Sequence, residues 1–144
     1  MQLPESQLDR FMIKLSMGYP DKEQEINILK ARACVNPLDM VGKVADENSI
    51  LSLQTAAENV YIHDAIYDYI VRLARATREH EYIALGVSPR GTLALAAMAK
   101  AYALCEDRDY CIPTDVKNVF VDVVSHRLVL NSKARINKIT EIQT

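Results

Sequence analysis

The chain has 144 residues, of which 49% are hydrophobic and 25% charged, and its net charge is −2. This is the composition of a folded domain with one core, which excludes a disordered segment and argues against a nucleic-acid binder with its basic excess. Apolar runs are broken by charges well short of the roughly 20 residues that span a bilayer. The start, Met1-Gln2-Leu3-Pro4-Glu5, has neither the basic flank nor the apolar run of a signal peptide. The expectation is a cytoplasmic protein with no membrane and no nucleic acid among its partners.

In chain order, Pro4 to Phe11 is short and helix-compatible. Met12-Ile13-Lys14-Leu15-Ser16-Met17 alternates apolar and polar side chains and predicts a strand, closed by a turn at Gly18-Tyr19-Pro20-Asp21. No later segment reads as its mate, so that strand is expected to belong to a sheet outside this chain. Asp21 caps a helix with Glu23 and Glu25 in its first turn and Ile26, Leu29, Lys30 and Ala33 on a helical period, until Asn36-Pro37 ends it. Leu38 to Glu47 reads as irregular.

A second helix is predicted from Asn48 or Ser49, with Ile50, Leu51, Leu53, Ala57 and Val60 on its apolar side. A third begins near Asp64 and carries Ile66, Tyr69, Ile70, Leu73, Ala74 and Thr77 at i, i+3, i+4, i+7, ending among Arg75, Arg78 and His80. Ser88 is a good N-cap and Pro89 a good first residue for a fourth helix. Its alanines, Ala94, Ala96, Ala97, Ala99, Ala101 and Ala103, permit close contact and mark it as the central helix. Pro113 opens a fifth, striped by Val116, Val119, Phe120, Val123, Val124 and Leu128. From Asn131 the sequence turns polar, and Arg127, Lys133, Arg135 and Lys138 read as a solvated helix end and tail. The predicted fold is all-α: a helical bundle over residues 21–144, preceded by a short helix and strand over residues 1–20.

Little local chemistry is evident. The three cysteines, Cys34, Cys105 and Cys111, are odd in number and form no CxxC, and His63, His80 and His126 fall at no metal-ligand spacing. Reduced thiols and no metal site are expected. The four glycines, Gly18, Gly42, Gly86 and Gly91, form no phosphate-cradling loop. The most informative stretch is Leu85-Gly86-Val87-Ser88-Pro89-Arg90-Gly91. A helix start favours an anion, whereas Arg90 in the first turn opposes the dipole. A phosphate bound at that end would account for it; the plain alternative is an N-cap beside a solvated arginine. Asp9-Arg10, read alone, is a surface ion pair of little energetic value.

Four spaced motifs change that reading. Leu3-Pro4-Glu5-Ser6-Gln7-Leu8-Asp9-Arg10-Phe11 with the Tyr19-Pro20 turn, Thr77-Arg78, Leu85-Gly86-Val87-Ser88-Pro89-Arg90, and Arg108-Asp109-Tyr110 through Pro113 and Asp115-Val116-Lys117 to His126-Arg127-Leu128 follow in order. Together they resemble the C-terminal part of MoxR-type AAA+ ATPases: the end of the ATPase core followed by the helical lid. Glu106-Asp107, Cys111-Ile112 and Gly91 depart from the family's usual residues, and the threonine cap that usually precedes Pro113 is absent.

The resemblance implies that residues 1–20 are a remnant of the core and 21–144 the lid of a hexameric ATPase that remodels or matures client proteins. It implies that Arg90 is the sensor 2 arginine and Arg10 an arginine finger offered to a neighbouring subunit. Ser88, Pro89 and Arg90 would meet the nucleotide. ATP and magnesium are expected in the full-length protein, with no tight binding to this stretch alone, which lacks the Walker motifs and should not hydrolyse ATP. The implied partners are the rest of the core, neighbouring subunits of a homo-oligomeric ring and an unknown client. The alternative from the residues alone is a free-standing helical protein-protein interaction module.

Overall fold

A computed structural model of the chain describes residues 4–32, 36–137 and 139–140. They fall into two units, residues 15–52 and residues 1–14 with 53–144. The described helices are α1 (Glu5–Leu8), α2 (Lys22–Arg32), α3 (Glu47–Asn59), α4 (Asp64–Glu79), α5 (Pro89–Cys105), α6 (Pro113–Val124) and α7 (Ser132–Ile136). Two short strands, β1 (Ile83–Leu85) and β2 (Val129–Leu130), and 3-10 turns at Pro37–Met40 and Ser125–Arg127 complete the chain. The fold is helical as the periodicity predicts. No helix among the described residues is long and apolar enough to cross a membrane.

In the larger unit the core lies between α4, α5 and α6. α5 brings Ala94, Leu95, Ala99 and Ala103 inward, and the three alanines let α6 approach closely with Val116, Val119, Val123 and Val124. α4 adds Ile66, Ile70 and Ala74 from the predicted face. The predicted caps form: Ser88 Oγ accepts from Gly91 N at 3.2 Å with Pro89 as the first helical residue. At α6 no side chain replaces the missing threonine. Instead the buried Asp115 carboxylate accepts from Ile112 N at 2.8 Å and receives a two-pronged Arg108 guanidinium at 2.8 and 2.5 Å.

Met12 to Met17 forms no ladder among the described residues; Lys14 N donates to the α6 carbonyl of Asp122 at 2.8 Å. Two expectations are corrected. β1 and β2, too short to leave a pattern, pair antiparallel with Ile83 opposite Leu130 and Leu85 opposite Val129. Asn131 locks that end, with its N–H donating to Tyr82 O at 3.0 Å while its side-chain oxygen caps α7. Finally, Ile50, Leu51 and Leu53 of α3 are about half exposed, whereas Val60 just beyond it is buried.

The smaller unit holds α2 and the Pro37–Met40 turn. Asp21 caps α2 as predicted, accepting from Gln24 N at 2.8 Å while Gln24 Oε1 accepts from Asp21 N at 3.1 Å. None of the described α2 residues is buried, and Ile26 and Leu29 are exposed. Their helical spacing therefore marks the helix without a core beneath it. Ala33 lies outside the described residues.

Candidate functional site at the start of α5

Val87, the residue before the Ser88 cap, is fixed through both of its backbone groups. Its N–H donates to Thr77 Oγ1 at 3.0 Å, and its carbonyl accepts from Arg78 Nε at 2.8 Å. Thr77 Oγ1 in turn donates to Ala74 O. The Thr77-Arg78 pair at the end of α4 thus sets where α5 begins. Gly86 completes the lock by close approach: a Cβ there would lie 2.7 Å from Arg78 N and 2.8 Å from Arg78 Cα. Because those are backbone atoms, Gly86→Ala is expected to destabilise the fold by about 2 kcal/mol or more. An unchanged urea midpoint for that variant would contradict this packing.

A pocket of about 640 Å³ opens beside this helix start, lined by Arg78, Gly86, Ser88, Pro89, Asp9 and Arg127 among others. Asp9 brings the N-terminal segment into it. Its carboxylate accepts from Ser88 Oγ at 3.0 and 3.1 Å and from Arg127 Nε at 3.2 Å. Ser88 therefore caps α5 and clasps Asp9 with the same hydroxyl. The backbone donors of the first turn are largely spent: Gly91 N–H goes to Ser88 Oγ, Thr92 N–H to Ser88 O, and Pro89 has none. An anion here would have to be met mainly by guanidinium groups.

Of the residues singled out in the sequence, Ser88 and Pro89 line the pocket. Arg90 is exposed on the first turn of α5, near enough to Arg127 to help lower that residue's pKa, after burial. Arg10 is exposed at the turn after α1 and does not line the pocket. No cluster of carboxylates, histidines and thiols suited to a metal occurs among the described residues.

The residue that sequence reasoning placed wrongly is Arg127. It reads as part of a solvated basic tail, yet its side chain is only 2% exposed. It donates to Asp9 O at 3.3 Å, Phe11 O at 2.7 Å and Met12 O at 3.1 Å, to Val123 O, and to the Asp9 carboxylate. The only sequence signal was its place in the His126-Arg127-Leu128 motif. Its stem explains Gly91, where a Cβ would meet Arg127 Cδ at 2.9 Å and Val87 Cγ1 at 2.7 Å.

Beside it, His126 Nε2 lies 2.9 Å from both Phe11 O and Arg127 Nη1. Both Nη1 protons are directed at carbonyls, so His126 must carry its proton on Nε2 and donate to Phe11 O. Nδ1 is left bare, buried and unpartnered. Burial, with the Arg127 charge adding to it, holds His126 below its ordinary value near 6.5. The folded state therefore resists a proton that the unfolded chain accepts. Stability is fully present above that ordinary value and declines as pH falls through it. Melting temperature should drop between pH 7 and 5, and a His126→Gln variant should flatten that part of the profile. An identical drop in the variant would rule His126 out as the cause.

The chain is similar to several known proteins. The AAA lid domain family model matches residues 75–144. The chain is 41% identical over 133 residues to the uncharacterized protein YeaC of Bacillus subtilis (strain 168), an alignment covering 92% of this chain and 42% of that protein. It is 39% identical over 147 aligned residues to the chaperone MoxR1 of Mycobacterium tuberculosis, covering 96% of this chain and 38% of the relative. The chain carries an AAA lid domain and is homologous to MoxR proteins. A crystal structure described as "a putative ATPase from Cytophaga hutchinsonii" superposes with a TM-score of 0.89 at 34% identity, over 99% of this chain and 46% of that one. The lid and the segment before it thus span less than half the length of these relatives. In this chain the Thr77-Arg78 pair and the Leu85-to-Arg90 motif form one physical unit, the lock that orients the start of α5.

Proposed function

We propose that this chain is the nucleotide-sensing lid of a MoxR-type AAA+ ATPase, whose full-length form is a chaperone-like machine working on other proteins. The observation that carries the reading is the fixation of Val87 and Ser88, which sets the start of the helix that bears Arg90 beside a pocket that Asp9, the neighbour of Arg10, also lines. In that reading Arg90 serves as sensor 2 and Arg10 as an arginine finger toward a neighbouring subunit of a homo-oligomeric, hexameric ring. A guanidinium suits both tasks, because phosphoryl transfer spreads charge over equatorial oxygens that a permanently charged, planar group can bridge. Ser88 and Pro89 shape the site. With the Gly91 and Thr92 N–H groups already bonded, the chain is suited to meeting the outer phosphates of ATP through guanidinium groups, and magnesium and the phosphate loop belong to the rest of the protein. The stretch of 144 residues alone is accordingly expected not to turn over ATP.

The test is ATP turnover by the longer protein with and without Arg10→Ala, alongside the isolated chain. The expected results are a loss of about 10³-fold in kcat for Arg10→Ala and no turnover by the chain alone. Wild-type turnover by Arg10→Ala would remove Arg10 from the active site. A chain active alone would overturn the division between lid and core. Clients and cellular location lie on a different level; a cytoplasmic setting and an unknown protein client complete the proposal.

A further inference from the structure

We infer that Arg127 is a positioning residue for this site, holding Arg10 and Arg90 in one rigid frame without meeting the nucleotide itself. The inference rests on the proposed roles of Arg10 and Arg90. A guanidinium has five N–H groups, and here each has an acceptor within the protein: Nε the Asp9 carboxylate, Nη1 the carbonyls of Met12 and Val123, Nη2 those of Asp9 and Phe11. Arg127 lines the pocket yet has no donor left for a ligand. Its partners are informative: Asp9, Phe11 and Met12 flank Arg10 on both sides, so the backbone that carries Arg10 is pinned before and after it.

The other end of the frame is α5. The Asp9 carboxylate that receives Arg127 also receives Ser88 Oγ, two residues before Arg90. The aliphatic stem of Arg127 fills the space where Gly91, one residue after Arg90, would carry a Cβ. Movement of either segment therefore moves Arg127. Since a 1 Å displacement of a catalytic group can cost about 10²-fold in rate, a clamp of this kind is as consequential as a direct contact. A lysine cannot replace it, having one charged nitrogen where five N–H groups in a fixed fork are used.

The experiment measures turnover and the affinity of a fluorescent ATP analogue in the longer protein, for Arg10→Ala, Arg90→Ala, Arg127→Lys, Asp9→Asn and the Arg10→Ala/Arg127→Lys double variant. Arg127→Lys should lower kcat about 10²-fold, with analogue affinity held within about threefold. Asp9→Asn, which keeps shape and loses charge, should lower kcat about tenfold and serves where Arg127→Lys melts too low to assay. In the double variant Arg127→Lys should cost clearly less than it does alone, because the part of its effect exerted through Arg10 is already lost and only the part exerted through Arg90 remains. Fully additive losses would overturn the positioning role. So would wild-type turnover in Asp9→Asn and Arg127→Lys while Arg10→Ala is inactive, an outcome that leaves the nucleotide-facing reading intact. Wild-type turnover in both Arg10→Ala and Arg90→Ala would instead overturn that reading, and the frame with it.

Discussion

Under the proposed function, Arg90→Ala in the longer protein is expected to lower ATP turnover by about 10³-fold while leaving the fold as stable as before. The two halves of that statement have separate causes. Arg90 is exposed and forms no ion pair among the described residues, so its truncation removes no folded contact. A cation in the first turn of a helix opposes the dipole, and alanine is the better helix former, so the melting temperature should hold or rise slightly. In the proposed role of Arg90, the loss of rate comes from removing a charge offered to the phosphates. Arg90→Lys should recover little of it, because a point charge on a flexible stem does not reproduce the planar fork. Turnover assays on the three proteins, each with a thermal melt, decide the matter. Unchanged turnover in Arg90→Ala would reduce the Ser88-Pro89-Arg90 run to a helix cap and bring forward the helical interaction module.

The second large effect concerns stability. Asp115 is 1% exposed, yet its pKa is lowered: burial pushes it up, but the Arg108 fork and the Ile112 N–H outweigh that. Asp115→Ala leaves a partly buried guanidinium and the N–H at the start of α6 without their acceptor. Removing one partner of a buried pair costs about 3–5 kcal/mol, and with Arg108 partly able to reach water the loss here should sit near 3 kcal/mol. Asp115→Asn keeps the acceptor and should lose less. For the native chain the sign with pH follows from the depressed value: the contribution is present above the unfolded carboxyl range and is lost as pH falls through the folded pKa. Urea unfolding of the three proteins at pH 7 and below pH 4 measures both effects. Equal midpoints for Asp115→Ala and the native chain would show that α6 starts without this pair.

Much of this architecture is legible from local pattern because its determinants are local. The Ser88-Pro89 start, the α4 stripe and the alanines of α5 each act within a few residues, and each appears where periodicity and capping place it. The pocket was half legible: Ser88 and Pro89 line it, whereas Arg127 reads as solvated because all but one of its acceptors lie more than a hundred positions earlier. The alternation of Met12 to Met17 reports an extended backbone, and only distant partners decide whether that backbone joins a ladder. β1 and β2 are too short for any period to form, and their pairing depends on Asn131 meeting Tyr82 across the fold.

The bond from Arg127 Nε to Asp9 joins residues 118 positions apart. Closing so long a loop is slow compared with the short connections among α4, α5 and α6, since loop entropy rises with length and non-local contacts form after local ones. On the ribosome the order is stricter still, because the arginine does not exist until nearly the whole lid has been made. The Arg10 segment must wait through that synthesis with its carbonyls hydrated. The turn bearing Arg10 is therefore expected to become rigid only after the helices that support Arg90 are in place.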